Sequence, residues 1–206
     1  MTHTPLVEAV AKYYAAKLAD HGPTPAGVDW NSEESQRRRF DQFMPLVANA
    51  DVSICDYGCG YGAFLDYLRS RGHRGPYVGF DVAGEMVREA SARHAGDRLA
   101  CFTSVRSAVS AADVTVASGI FNVRLSTPVD RWRDYIGETI DDLAALSRCG
   151  FAFNVLSSYS DADKRRADLY YADPRDLFGH CMERWPRRVA VVHDYGLYEF
   201  TVTVRV

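Results

Sequence analysis

Asp56-Tyr57-Gly58-Cys59-Gly60-Tyr61-Gly62 is the stretch that decides the fold. The short apolar run Val52-Ser53-Ile54-Cys55 precedes it, and Ala63-Phe64-Leu65-Asp66-Tyr67-Leu68-Arg69 follows with its apolar residues at helical spacing. An acid closing a buried strand, then alternating glycines, then a helix, describes a place where backbone passes very close to a small molecule.

Outward from this loop the pattern alternates. Strand-like segments at 52–56, 77–80, 99–104, 113–118 and 150–156 are separated by helical ones at 62–71, 84–94 and 130–147. Such alternation implies parallel strands with helices on both faces. The chain then changes character. Val189 to His193 is a near-continuous apolar strand, and after Tyr195-Gly196-Leu197 the residues alternate, with Phe200, Val202, Val204 and Val206 opposite Glu199, Thr201, Thr203 and Arg205. A three-residue connection containing Gly predicts an antiparallel hairpin. Before the first strand, Leu6 to Leu18 reads as one helix, and the Gly- and Pro-rich 21–27 as a break. A second helix is predicted from an Asn31 N-cap with Glu34 in capping-box position, carrying Phe40, Phe43, Met44 and Val47 on one stripe. The expected architecture is an α/β, Rossmann-like, doubly wound seven-stranded sheet, mostly parallel with an antiparallel C-terminal hairpin and two N-terminal cap helices. One domain over 1–206 is expected, with 1–50 as the helical cap and 51–206 as the core.

The bulk properties narrow the function classes. A chain of 206 residues with 47% hydrophobic and 25% charged residues is that of an ordinary globular protein. A formal net charge of −3 supplies no global basic field, so nucleic acid is not expected as a partner. No apolar run reaches the length of a membrane span, and 1–20 lacks a signal-peptide design. Cys55, Cys59, Cys101, Cys149 and Cys181 form no C-x-x-C pair, so neither a zinc site nor a disulfide framework is indicated. A reduced, cytoplasmic protein is expected. The sequence carries no signal for oligomeric state.

The glycine loop alone also satisfies the dinucleotide fingerprint, as Gly58-x-Gly60-x-x-Ala63. Asp56 argues against that use, because a fixed carboxylate beside a pyrophosphate is repulsive at close range. It suits a ligand with a positive end. With Asp81 closing Tyr77-Val78-Gly79-Phe80-Asp81, the D-x-G-x-G-x-G loop resembles the cofactor site of class I S-adenosylmethionine-dependent methyltransferases. The resemblance implies that Asp56 meets the methionyl ammonium, while Gly58 and Gly60 let the chain approach the methionyl and ribose portions. It places Asp81 on the ribose hydroxyls, with Val82 beside it, and Met86 over an adenine face. Ser104, at the end of the third strand where many members carry an acid, and Ser118, at the end of the fourth, complete the expected set.

The acceptor side is less marked. The Asn/Asp-Pro-Pro-aromatic tetrad of base N-methylating enzymes is missing, which leaves a small-molecule acceptor as the expected partner. The polar and aromatic segment 154–174 follows the fifth strand and reads as a binding lid. Tyr159 and Tyr171 within it, and His193 at the end of the sixth strand, are the candidate catalytic side chains. Oxygen is favoured over nitrogen because these groups are available as bases. Lys164-Arg165-Arg166 is a possible grip for an anionic acceptor, against a solvated basic run, and one arginine of 37–39 is a possible partner for the methionyl carboxylate. The segments Gly27-Val28-Asp29-Trp30-Asn31 and Asp194 to Phe200 resemble those of small bacterial stand-alone methyltransferases. Two rivals stay open: an NAD(P)-dependent oxidoreductase, whose Tyr-x-x-x-Lys pair occurs only at Tyr13 and Lys17, and a non-catalytic S-adenosylmethionine-binding partner subunit.

Overall fold

A computed structural model describes residues 4–206. Its centre is a seven-stranded sheet built from β1 (Ile54–Tyr57), β2 (Tyr77–Phe80), β3 (Ala100–Thr103), β4 (Ala112–Ala117), β5 (Ser147–Leu156), β6 (Val189–Val192) and β7 (Glu199–Arg205). The spatial order is β3-β2-β1-β4-β5-β7-β6. The first five strands pair in parallel, while β7 runs antiparallel to both β5 and β6. Strand order therefore reverses between β1 and β4, which opens a crevice at the carboxyl ends of these two strands.

Six helices accompany the sheet: α1 (Thr4–His21), α2 (Glu33–Asp41), α3 (Ala63–Ser70), α4 (Gly84–Arg93), α5 (Val129–Ala145) and α6 (Pro174–Arg184). The side-chain alternation of β5 and β7 divides the core. Phe151, Phe153, Val155, Phe200, Val202 and Val204 pack with Trp132, Ile136 and Ile140 of α5 and with Leu177 and Cys181 of α6. Ala152, Val114 and Val116 face the other way, onto Phe40, Phe43 and Leu46 and onto Phe64, Leu65 and Leu68 of α3. The alternation expected for 199–206 is thus realised, and the first half of its polar row is covered: Glu199 and Thr201 are buried, and Thr201 donates to the Tyr195 hydroxyl at 3.1 Å, while Arg205 is exposed.

Three local expectations need correction. The N-cap of α2 is Ser32, not Asn31, because Ser32 Oγ accepts the Ser35 N–H while Ser35 Oγ accepts the Ser32 N–H. The helix stops at Asp41 and Met44–Leu46 forms a separate 3-10 turn, since Pro45 cannot continue the ladder and restricts Met44. The link from β6 to β7 spans residues 193–198 rather than three residues, so His193 lies past the strand end. Asp173 caps α6 by accepting the Arg175 N–H at 2.9 Å, and Pro174 takes the first helical position.

α1 lies over the crevice. Leu6 and Val10 pack on the α5 side of the core, while Ala11, Tyr14 and Leu18 pack on Tyr61, Ala83 and Met86 beyond the glycine loop. Among the described residues no helix is long and apolar enough to cross a membrane.

Candidate active site

The turn from β1 into α3 needs its glycines. Gly58 has φ +85°, and a Cβ there would stand 2.2 Å from Ile120 Cγ2, so only a residue without a side chain fits between the two loops. Asp81, just past β2, braces the turn. Its Oδ2 accepts the Gly60 N–H at 2.8 Å and its Oδ1 the Ala83 N–H at 2.9 Å. Each oxygen keeps a further lone pair for a ligand hydroxyl. Asp56 is buried and accepts the Tyr77 hydroxyl at 2.5 Å.

These two acids are held in an unusual state. Burial pushes the Asp56 carboxyl up to about 7, against the pull of the Tyr77 hydrogen bond, and the Asp81 charge adds to the rise. Burial likewise raises Asp81 to about 6, against the two backbone donors. Both line a cleft of about 840 Å³, counting its open mouth, at the strand-order reversal. No Lys, Arg or His is among the described residues that line it. A cleft with two carboxylates and no cation attracts a positively charged ligand and repels a diphosphate.

A second cavity of about 890 Å³ adjoins the first and shares Tyr14, Val28 and Trp30 with it. The loop 118–122 after β4 forms part of both linings. Asn154 on β5 holds this loop: its Oδ1 accepts the Gly119 N–H at 2.8 Å and its Nδ2 donates to Ser118 Oγ at 3.2 Å. Trp30 seats directly on Gly119, where a Cβ would come within 2.5 Å of the indole. On the ring of Trp30 lies the Arg39 guanidinium, 3.8 Å from the centroid, and Arg39 is in turn clamped by both oxygens of Glu199 at 2.7 and 2.8 Å. This places a buried ion pair behind the shared wall.

The fold brings Asp56, Gly58, Gly60, Asp81, Val82, Met86 and Ser118 together around the first cleft. Ser104 is exposed and lines neither cavity, because β3 is the outermost strand on its side, two positions from β1. Tyr171 lines the second cavity and its hydroxyl accepts the Arg166 N–H at 2.9 Å. Tyr159 and His193 line neither. They rest against each other at 6.2 Å between ring centroids, and His193, which follows the edge strand β6, also packs on Phe200 of β7. The fold does not bring these two candidate side chains to either cavity. No arginine of 37–39 lines the first cleft: Arg39 is committed to Glu199, and Arg38 pairs with Glu34 on the surface. Gln36 of the same helix does line it, with its Oε1 accepting the Tyr61 hydroxyl at 3.3 Å. Ile120 and Asn122 lie in the 118–122 loop that the carboxyl end of the fourth strand marks in the sequence, whereas Gln36 and Tyr135 were missed by sequence reasoning, which offers no signal for residues that only topology assembles.

A family model described as a methyltransferase domain matches residues 33–192. The chain belongs to the methyltransferase-domain family. Within the class I, S-adenosylmethionine-dependent methyltransferases, it is similar to Rv1506c of Mycobacterium tuberculosis, a protein named for an inferred methyltransferase activity. The two are 54% identical over 163 residues, covering 79% of this chain and 98% of the relative. Among solved structures this methyltransferase shares its fold with the N-methyltransferase NodS of Bradyrhizobium japonicum, in complex with S-adenosylhomocysteine. That likeness has a TM-score of 0.68 at 17% identity over 95% of this chain and 97% of that one. The magnesium protoporphyrin IX methyltransferase of Synechocystis, with bound S-adenosylhomocysteine, superposes with a TM-score of 0.67 at 14% identity over 96% and 98% of the two chains.

Proposed function

We propose that the protein transfers the methyl group of S-adenosylmethionine to an oxygen or nitrogen of a small molecule held in the second cavity. The observation that carries this reading is the first cleft, which pairs a glycine cradle with two buried carboxylates and no cation. A nicotinamide dinucleotide would bring its diphosphate against Asp56 and Asp81, so the same observation weighs against an oxidoreductase.

When bound, S-adenosylmethionine supplies a methyl carbon already activated by a positive sulfur. The protein's part is binding and alignment. Asp81 accepts the ribose diol with its remaining lone pairs, a charge-assisted contact. Asp56, with Gln36 on the facing helix, meets the polar methionyl end, and Val82 and Met86 offer apolar surface to the base. Tyr14 and Trp30, common to both cavities, exclude water along the path of transfer. Orientation of this kind can supply roughly 7–11 kcal/mol of the barrier reduction.

Calorimetry with S-adenosylhomocysteine and with NADH tests the reading. Saturable binding of the first and none of the second is expected. Binding of NADH alone would remove it. Turnover of labelled donor with a metabolite panel separates the enzyme from a non-catalytic partner subunit.

A further inference from the structure

The wall between the two cavities contains a polar group that the donor site does not use. Asn122 is 5% exposed and lines the second cavity. Its Oδ1 accepts the Leu156 N–H at 3.0 Å, and since a backbone N–H can only meet an oxygen, this contact fixes which end of the amide is which. Nδ2 therefore points the other way and donates to no protein acceptor among the described residues. It stands 3.6 Å from where a Gly119 Cβ would be, beside the Trp30 indole at the shared wall. An amide nitrogen with no protein acceptor, on a side chain only 5% exposed and opening onto the second cavity, offers its hydrogens to a ligand atom with a lone pair.

The charges around the second cavity are already matched. Lys17 pairs with Asp29 at 2.8 Å, Arg39 with Glu199 at 2.7 Å, Lys164 with Asp163 at 3.3 Å and Arg166 with Asp168 at 2.5 Å. Arg165 is spent on backbone carbonyls, including that of Ser160 at 3.1 Å. Of the basic run, Lys164 and Arg166, which line this cavity, are both ion-paired, and Arg165 lies outside its lining.

We infer that the acceptor atom is a neutral hydroxyl oxygen, held by a hydrogen bond from Asn122 Nδ2. This rests on the proposed methyl transfer and narrows it. A hydroxyl oxygen has two lone pairs, so one can receive the Nδ2–H while the other attacks carbon. A neutral amine has a single lone pair, and a donor aimed at it competes with the reaction. In the step itself the oxygen–carbon bond forms from the free lone pair, and the carbon–sulfur bond breaks with its electrons remaining on a now neutral sulfur. The hydroxyl proton leaves to water at the open cavity mouth.

The test uses the full chain saturated with S-adenosylhomocysteine, titrated separately with benzyl alcohol, benzylamine and benzoate while the side-chain amide resonances of Asn122 are followed by NMR. The alcohol should move these signals at the lowest concentration. An advantage for the amine or the carboxylate, or no response to the alcohol, overturns the inference. Asn122→Asp keeps an oxygen for the Leu156 N–H but removes the donor. It should bind S-adenosylhomocysteine as the wild type does and bind benzyl methyl ether, whose oxygen accepts a hydrogen bond but cannot donate one to the new carboxylate, on the order of tenfold more weakly. Undiminished ether binding in that variant is equally fatal. If the wild type fails to bind S-adenosylhomocysteine, the donor site itself is wrong, which is a separate outcome. If the variant loses the nucleoside through misfolding, the three-probe comparison on the wild type still decides.

Discussion

Asp56 and Asp81 carry the pH behaviour of the cleft. Their values near 7 and 6 exceed the ~4 of an unfolded carboxylate, so the folded state binds more protons between about pH 4 and about pH 7. Stability from these two sites is therefore present below about 4 and declines as pH rises to about 7, opposite in sign to a salt-bridged carboxylate. The gap in melting temperature between Asp56→Asn and wild type should widen in favour of the variant as pH increases over that window. A ligand ammonium needs the charged form, so affinity for S-adenosylhomocysteine should rise with pH through the same range in calorimetry and flatten above it. A pH-independent affinity would remove Asp56 and Asp81 from the binding surface. Asp81→Asn keeps one oxygen for the turn but loses the charge. Its nucleoside affinity should fall roughly ten- to a hundredfold, the worth of charge-assisted hydrogen bonds, and its melting temperature should fall as well, because one of the Gly60 and Ala83 N–H groups loses its acceptor. These two acids and their glycines were readable in the sequence, because an acid at a strand end and a glycine turn are local features. Tyr159 and His193 were misplaced because nothing local to a strand says how far from the crevice it will lie.

At the level of elements, the crevice depends on two loops meeting without side chains between them. Gly119 has φ +77° and carries Trp30 on its face, so Gly119→Ala must both strain the backbone and push the indole away. A loss of ~1–3 kcal/mol in urea unfolding is expected, together with weakened nucleoside binding, since Trp30 walls both cavities. Loss of stability with unaltered binding would show that the indole does not close the donor site. The strands and most helices followed from periodicity, and the two-fold alternation of 199–206 placed Phe200, Val202 and Val204 on one side of β7, where they pack on α5 and α6. The exceptions were punctuation. Ser32 outcompeted Asn31 as a cap because Ser35 could reciprocate, and Pro45 ended a stripe that hydrophobicity alone would have extended.

Over the whole molecule, Arg39 and Glu199 join α2 to β7, and both are buried. Removing one partner leaves the other charge stranded, so Glu199→Gln should cost ~3–5 kcal/mol by chemical denaturation. The paired change Arg39→Met with Glu199→Leu should cost less than either change alone, because no unpaired charge remains. A double variant as damaging as the sum of the singles would contradict this. Contacts 160 residues apart in sequence are invisible to any window along the chain, and so was the second cavity, which takes its walls from the cap, the loop after β4 and the segment after β5.

That long-range clamp also fixes an order of events during synthesis. While the ribosome is still short of Glu199, the guanidinium that backs Trp30 has no counterion in the nascent chain, and the strand that will insert between β5 and β6 does not yet exist. The backing of Trp30 is thereby completed only once β7 has been made, so a product that stops short of Glu199 should leave the indole between the two cavities without its fixed support.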